Sequence, residues 1–178
     1  MRITKHKLFF AWEYEKEELW LNEMSAQGLQ LVGVGFCKYI FEEGTPSEYS
    51  YRIELLNQYP THPESVSYIH FLEGSGIEHV GSYMRWVYLR KKSDGAFDLF
   101  SDIDSKISHC KRILTLFLCL LPLEISALTT NAATAAMGSV LNMFCAILLS
   151  ILLIFLAAGT FRLWLKIKNL KKERIMHE

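Results

Sequence analysis

ILTLFLCLLPLEISALTTNAA (Ile113 to Ala133) and VLNMFCAILLSILLIFLAAGTFRLWL (Val140 to Leu165) decide how the chain is built. A helix needs roughly twenty mostly apolar residues to cross the hydrocarbon of a bilayer, and each run supplies about that many. The passage from Thr129 to Gly138 carries no charge and interrupts the apolar run. Two crossings joined by a tight turn are therefore expected, at 113–132 and 139–161. A chain this short has too little mass to bury two helices that are apolar all round, so lipid is the expected solvent for both.

Orientation follows the basic residues near the membrane ends, because Lys and Arg stay cytoplasmic during insertion. Lys106, Lys111 and Arg112 precede the first run; Arg162, Lys166, Lys168, Lys171, Lys172 and Arg174 follow the second. The turn between has neither Lys nor Arg, so both termini are expected in the cytoplasm and the hairpin in the inner membrane. Trp164 falls where an interfacial anchor belongs. The basic start (Arg2, Lys5, Lys7) is followed only by Leu8 to Trp12 before a Glu-rich run, too short an apolar core for a signal peptide. Insertion is then expected to rely on the hairpin.

The net charge of zero hides an asymmetry. Met1 to Ser105 carries ten basic and sixteen acidic side chains, and the other basic residues flank the apolar runs. Nucleic-acid binders show a basic face, so nucleic acid is not an expected partner. Cys37, Cys110, Cys119 and Cys145 have no zinc-type spacing, and a cytoplasmic domain keeps thiols reduced. The six histidines form no H-x-x-x-H or H-E-x-x-H arrangement. Asp98, Asp102 and Asp104 lack the Gly and terminal Glu of a calcium loop. No phosphate loop, nucleophile elbow or dinucleotide fingerprint occurs, and no cofactor is expected.

The first 93 residues read as one α+β domain, followed by a connector and juxtamembrane helix (94–112), the hairpin (113–165) and a basic tail (166–178). KLFFAW (Lys7 to Trp12) suits a buried strand. The glutamates of EYEKEELWLNEMSAQG crowd the first turns of a helix that Gly28 ends. LQLVGVGFCKYIFEE from Leu29 is strand-like, either one bent strand or two short ones, with Gly33 and Gly35 marking a bulge or bend. Tyr49 to Leu56 alternates as a strand. Thr61 and Glu64 fit a capping box with Pro63 in the first turn of a second helix, closed by Gly76. IEHVGSYMRWVYLRKK is a final strand or strand pair, and Ser101 with Asp104, or Ser105 alone, can cap the juxtamembrane helix. Met24 to Gly33 lies over Leu72 to Gly81 without a gap, each joining a helix through Gly to a strand that carries Val-Gly. Two strand-helix-strand halves give the expected fold, a ferredoxin-like β-α-β-β-α-β domain with both helices on one sheet face.

Phe9-Phe10-Ala11-Trp12-Glu13, Trp20-Leu21-Asn22-Glu23-Met24, Gly28-Leu29-Gln30-Leu31, Tyr49-Ser50-Tyr51-Arg52, Gly81-Ser82, Trp86 to Lys92 and Leu99 to Ile107 resemble a bacterial family known only as domain of unknown function 2812. The resemblance covers most of Lys7 to Ile113, in fold-type rather than catalytic positions. It implies a C-terminal pair of membrane segments and a genetic setting beside a PadR-like regulator, hence a role in regulation or envelope response. It supplies no activity and no site.

Glu124 stands mid-crossing beside Pro122, where an ionisable group costs several kcal/mol unless protonated, paired or facing water. With the turn near Ala135, Asn142, Ala146 and Ser150 are expected alongside it. A neutral Glu124 bonded to Asn142 or Ser150 would fix helix pairing; the sharper alternative is a proton, ion or partner-helix site. Aromatics such as Tyr39, Tyr51, Trp86 and Tyr88 are expected on the uncovered sheet face, as cross-strand pairs or a partner-facing patch. The basic tail is stop-transfer charge, with binding of anionic lipid or a partner in addition. The expected function is non-enzymatic: a membrane-anchored domain that binds a partner or ligand, the regulator or another membrane protein included. The alternative is a small homo-oligomeric transporter or channel component built around Glu124.

Overall fold

A helix that stops and turns directly into a strand needs a residue that accepts positive φ, and glycine does so without penalty. In the computed structural model Gly28 and Gly76 take φ +79° and +81° at such junctions. The structure describes residues 1–93, 97, 99 and 103–177, in two compact units, Met1–Ser101 and Asp102–Glu178.

The first unit runs β1 (Arg2–His6), a 3-10 turn (Ala11–Glu13), α1 (Tyr14–Ala26), β2 (Leu29–Gly35), β3 (Lys38–Glu43), β4 (Tyr49–Leu55), α2 (Pro63–Gly74), β5 (Glu78–Tyr83) and β6 (Trp86–Lys92). It is a tandem repeat of strand, helix and hairpin with an offset of 48 residues, as from Met24 to Leu72. The repeat extends to the irregularities. The register slips at Val32 between β2 and β3, and at Val80, its equivalent, between β5 and β6.

The α+β class is as expected; the ferredoxin-like plan is corrected. Among the described residues six strands form two antiparallel three-stranded sheets, ordered β1-β3-β2 and β4-β6-β5. Each Gly-marked segment is a hairpin, which adds a strand per half. Nor do the helices share a face. Along β6 successive side chains alternate: Tyr88 joins Trp20, Leu21 and Met24 of α1 with Leu31, Tyr39, Phe41, Tyr51 and Ile53. Val87 and Leu89 join Leu56, Ile69 and Leu72, on the α2 side. The expected strand at 7–12 lies instead at Arg2–His6, where pairing with β3 sets it (Arg2 opposite Glu42). The second helix is capped by His62 rather than Thr61, its Nδ1 accepting from the Glu64 N–H at 3.4 Å. The Ser101 cap lies outside the described residues.

One helix of the first repeat braces the second. Ser25 Oγ donates to the Tyr49 carbonyl (2.6 Å), and Asn22 Oδ1 accepts from Tyr51 N (2.8 Å) while its Nδ2 donates to Tyr51 O (3.2 Å). Glu18 Oε1 accepts from Ile53 N (2.8 Å). Spaced along one face of α1, these side chains satisfy the outer edge of β4 as a neighbouring strand would. The α2 residues 48 further on are Val66, His70 and Glu73; there His70 Nδ1 and Glu73 Oε2 meet each other at 3.2 Å.

The second unit is a helical hairpin, α3 (Ile103–Ala136) and α4 (Val140–His177), turning through Gly138 at φ +95°. At 1.5 Å per residue, the 38 residues of α4 span about 57 Å, well beyond a hydrocarbon core of about 30 Å. Both helices are long and apolar enough to cross a membrane. Within them Thr130, Ser150 and Thr160 donate to the carbonyls of Ser126, Ala146 and Leu156, which satisfies each hydroxyl inside its own helix.

Candidate ligand pocket

Glu17 sits on α1 three, four and seven residues before Trp20, Leu21 and Met24, hence on the buried face. Its carboxyl cannot be left there without donors, because burial strips away water. Two tyrosines supply them: Tyr39 of β3 and Tyr88 of β6 both donate to Glu17 Oε1, at 2.6 and 2.7 Å. Hydroxyls from both repeats therefore close on one oxygen. The second oxygen, Oε2, has no hydrogen-bond partner among the described residues.

Burial pushes the Glu17 carboxyl above the ordinary carboxylate range, while the hydrogen bonds from Tyr39 and Tyr88 hold it back. Both phenols are raised in turn, by burial first and then by the carboxylate they bond. The tyrosines stay protonated donors.

Glu17, Tyr39 and Tyr88 line a pocket of about 170 Å³. It opens where the tips of both hairpins meet the segment after β1. Gly35, Phe36 and Cys37 come from the first tip, and Tyr83, Met84 and Trp86 from the second. Lys7 to Ala11 and Tyr14 complete it. Aromatic contacts stiffen the walls: Tyr14 lies 6.3 Å from Trp86 and Phe36 lies 6.0 Å from Tyr83. The Lys7 ammonium sits 4.8 Å from the Phe9 and Trp20 ring centroids. Phe36, Met84 and Leu8 are largely exposed at the rim. A carboxyl below and π-faces around suit an ammonium or other compact cation, which gains from ion pairing and from ring quadrupoles. The volume matches a ligand about the size of benzene.

Trp86, Tyr39 and Tyr88 of the expected aromatic patch meet in this pocket; Tyr51 does not. The patch is not an open sheet face: Tyr39, Tyr51 and Tyr88 are buried against α1. The Tyr51 hydroxyl accepts from Leu31 N (2.9 Å) and donates to Gln30 Oε1 (3.1 Å), which makes it a core brace. Glu17 escapes a reading by composition, since it sits in an acidic run that resembles a solvated helix start. Its spacing from Trp20 and Met24 was the available signal.

In the second unit the expected cluster of Glu124, Asn142 and Ser150 does not form. Asn142 Nδ2 donates to Ser139 Oγ (3.0 Å) and Ser150 Oγ to the Ala146 carbonyl (2.7 Å). The turn falls at Gly138 rather than Ala135, which takes Glu124 out of the expected register with Asn142 and Ser150. Glu124 Oε1 is buried with no hydrogen-bond partner among the described residues. Of the flanking basic residues, Lys111, Lys168 and Lys171 converge on one groove, while Arg162 and Lys172 are exposed elsewhere on α4. Arg112 and Lys166 lie near His109, a fully buried imidazole.

Among the described residues no group of three His, Cys, Asp or Glu side chains could hold a metal ion. No curated protein and no solved structure matches the chain. A family model described as "Protein of unknown function (DUF2812)" matches residues 13–121, which takes in α1, the pocket carboxyl, both hairpins and the start of the apolar segment. The chain belongs to the DUF2812 family.

Proposed function

We propose that this protein is a non-enzymatic, membrane-anchored receptor for a small cationic ligand. The hairpin crosses the inner membrane twice with both termini in the cytoplasm, and the repeated unit holds the ligand in the pocket above Glu17. The observation that carries this reading is the Glu17 carboxyl at the base of an aromatic pocket, with one oxygen held by two tyrosines and the other without a hydrogen-bond partner among the described residues. The anchor rests on the exposure of large apolar side chains such as Leu123, Leu141, Leu148 and Ile154, which lipid solvates and water does not. The regulatory setting implied by the family suits such a receptor: a bound ligand would alter what the domain presents to a partner such as a PadR-like regulator. The test is titration of the purified full chain with tetramethylammonium and small primary amines, followed by Trp fluorescence. Saturable binding that E17Q weakens at least ten-fold supports the reading; equal response in E17Q overturns it.

A second reading rests on Glu124, whose buried Oε1 has no hydrogen-bond partner among the described residues. Self-association of hairpins around it would supply that partner and could line an ion path. Cross-linking in native membranes, and proton flux into liposomes, should both depend on Glu124 and fall in E124Q if this is so.

A further inference from the structure

We infer that one side of the α3/α4 hairpin is a binding site for a single anionic phospholipid. This rests on the reading of the two helices as membrane-spanning. Two cavities make up the site and share Leu114 and Trp164. The first, about 420 Å³, lies towards the charged end and is lined by Lys111, Lys168 and Lys171 with Leu114, Trp164 and Ile167. The second, about 360 Å³, continues towards the turn and is apolar throughout: Leu118, Leu121, Ala157 and Phe161 line it with Thr160, whose hydroxyl is already bonded to the Leu156 carbonyl.

The helical spacing makes this one continuous groove. Positions 111, 114, 118 and 121 share a face of α3, and 157, 161, 164, 168 and 171 share a face of α4. The three ammonium groups come from both helices, and no carboxylate is among the described residues that line the basic cavity. They suit a phosphodiester, which the apolar part alone would reject. Lys168 Nζ stands 5.2 Å from the Trp164 ring centroid, at the junction of the two cavities. That is the position of an interfacial aromatic with a snorkelling lysine. From Lys111 to Leu121 the helix rises about 15 Å. Half a hydrocarbon core is also about 15 Å, so the groove has the depth of one leaflet and accepts one acyl chain under a headgroup held by the lysines.

The test is native mass spectrometry of the full chain in detergent, with phosphatidylglycerol and phosphatidylcholine of identical acyl chains added in steps. One phosphatidylglycerol should bind in preference to phosphatidylcholine. K168Q/K171Q should weaken that binding by about five-fold per lysine, whereas the charge-matched pair R162Q/K172Q should leave it unchanged. Ala157→Trp fills the apolar part without altering charge and should abolish the preference; the two charge-matched double variants decide the matter even if that variant folds poorly. Equal binding of the two lipids, or equal loss in both double variants, overturns the site. Displacement by glycerol 3-phosphate at concentrations comparable to the lipid would also overturn it, marking a soluble phosphate as occupant. Sedimentation with membranes and release only by detergent read the anchor separately, so a chain that sediments yet shows no lipid preference loses this site and not the anchor.

Discussion

Tyr39 and Tyr88, one from each repeat, pack edge to face with ring centroids 6.4 Å apart and planes at 73°. Their hydroxyls share one acceptor, Glu17 Oε1. The pairing ties the two sheets together through a side chain of α1. A hydrogen bond to a buried charged group contributes about 1.5–3 kcal/mol. Tyr39→Phe and Tyr88→Phe should each lower stability by about that much. The double variant should differ from the sum by at least about 0.5 kcal/mol, because the partners act on one oxygen. Urea unfolding followed by Trp fluorescence gives all three values, and strict additivity would contradict a shared acceptor.

Stability should fall on both sides of a pH optimum, for opposite reasons. Burial raises Glu17 above its ordinary value of about 4.5. Its contribution is therefore complete below that value and is lost as pH rises, because the unfolded chain ionises first. His109 is pushed down to about 3, by burial first and then by the nearby Arg112 and Lys166 charges. Its contribution is present above pH 6.5 and is lost as pH falls towards 3, because the unfolded chain takes up the proton first. Thermal unfolding in detergent from pH 3 to 8 should show E17Q flattening the rise-side loss and H109Q the acid-side loss. A parent-like pH profile in either variant contradicts its assignment.

Asn22 makes two of the bonds that seal β4, so Asn22→Ala should cost about 2 kcal/mol. The amides of Tyr51 and Ile53 should then exchange faster with deuterium than those of Leu89, on the central strand. Hydrogen exchange read by mass spectrometry separates this from a uniform loss of stability, which would raise exchange everywhere by the same factor.

Gly28 and Gly76 are equivalent in the repeat and nearly identical in φ, yet differ in surroundings. A side chain in that conformation costs about 1–2 kcal/mol at either position. At Gly76 a Cβ would meet nothing within 4 Å; at Gly28 it would lie 3.0 Å from the Gly44 carbonyl. Gly28→Ala should therefore lower the melting temperature more than Gly76→Ala. Equal shifts would mean that the chain from Gly44 to Pro46 yields without cost.

Periodicity and the Gly junctions reveal α1, α2 and the matching segments Met24–Gly33 and Leu72–Gly81, but not that each strand-like run is a hairpin. The reason lies in the turns. Tight hairpins favour Asn-Gly or Asp-Gly, whereas these turn through Phe36-Cys37 and Met84-Arg85, with Cys37 at φ 50° and Met84 at φ 54°. Residues this bulky give no turn signal, and tertiary pairing imposes the conformation. Trp86, Tyr39 and Tyr88 were legible as aromatics of interest. Their convergence on Glu17 depends on pairing between distant strands, which local patterning does not encode. In the hairpin the basic residues were legible one by one, and the lysines that share a groove followed only from the phase of α3 against α4.

The brace from α1 to β4 makes the duplicated halves unequal. A second half standing alone would leave β4 without Glu18, Asn22 and Ser25, so the halves are not interchangeable although the fold repeats. The reciprocal brace would have to come from Val66, His70 and Glu73, which lack that set of groups. The outer margin of β1 carries instead the charged side chains Arg2 and Lys5, which disfavour pairing with a second copy of itself. Replacing both with threonine and valine should leave an uncharged margin on which a further strand can pair.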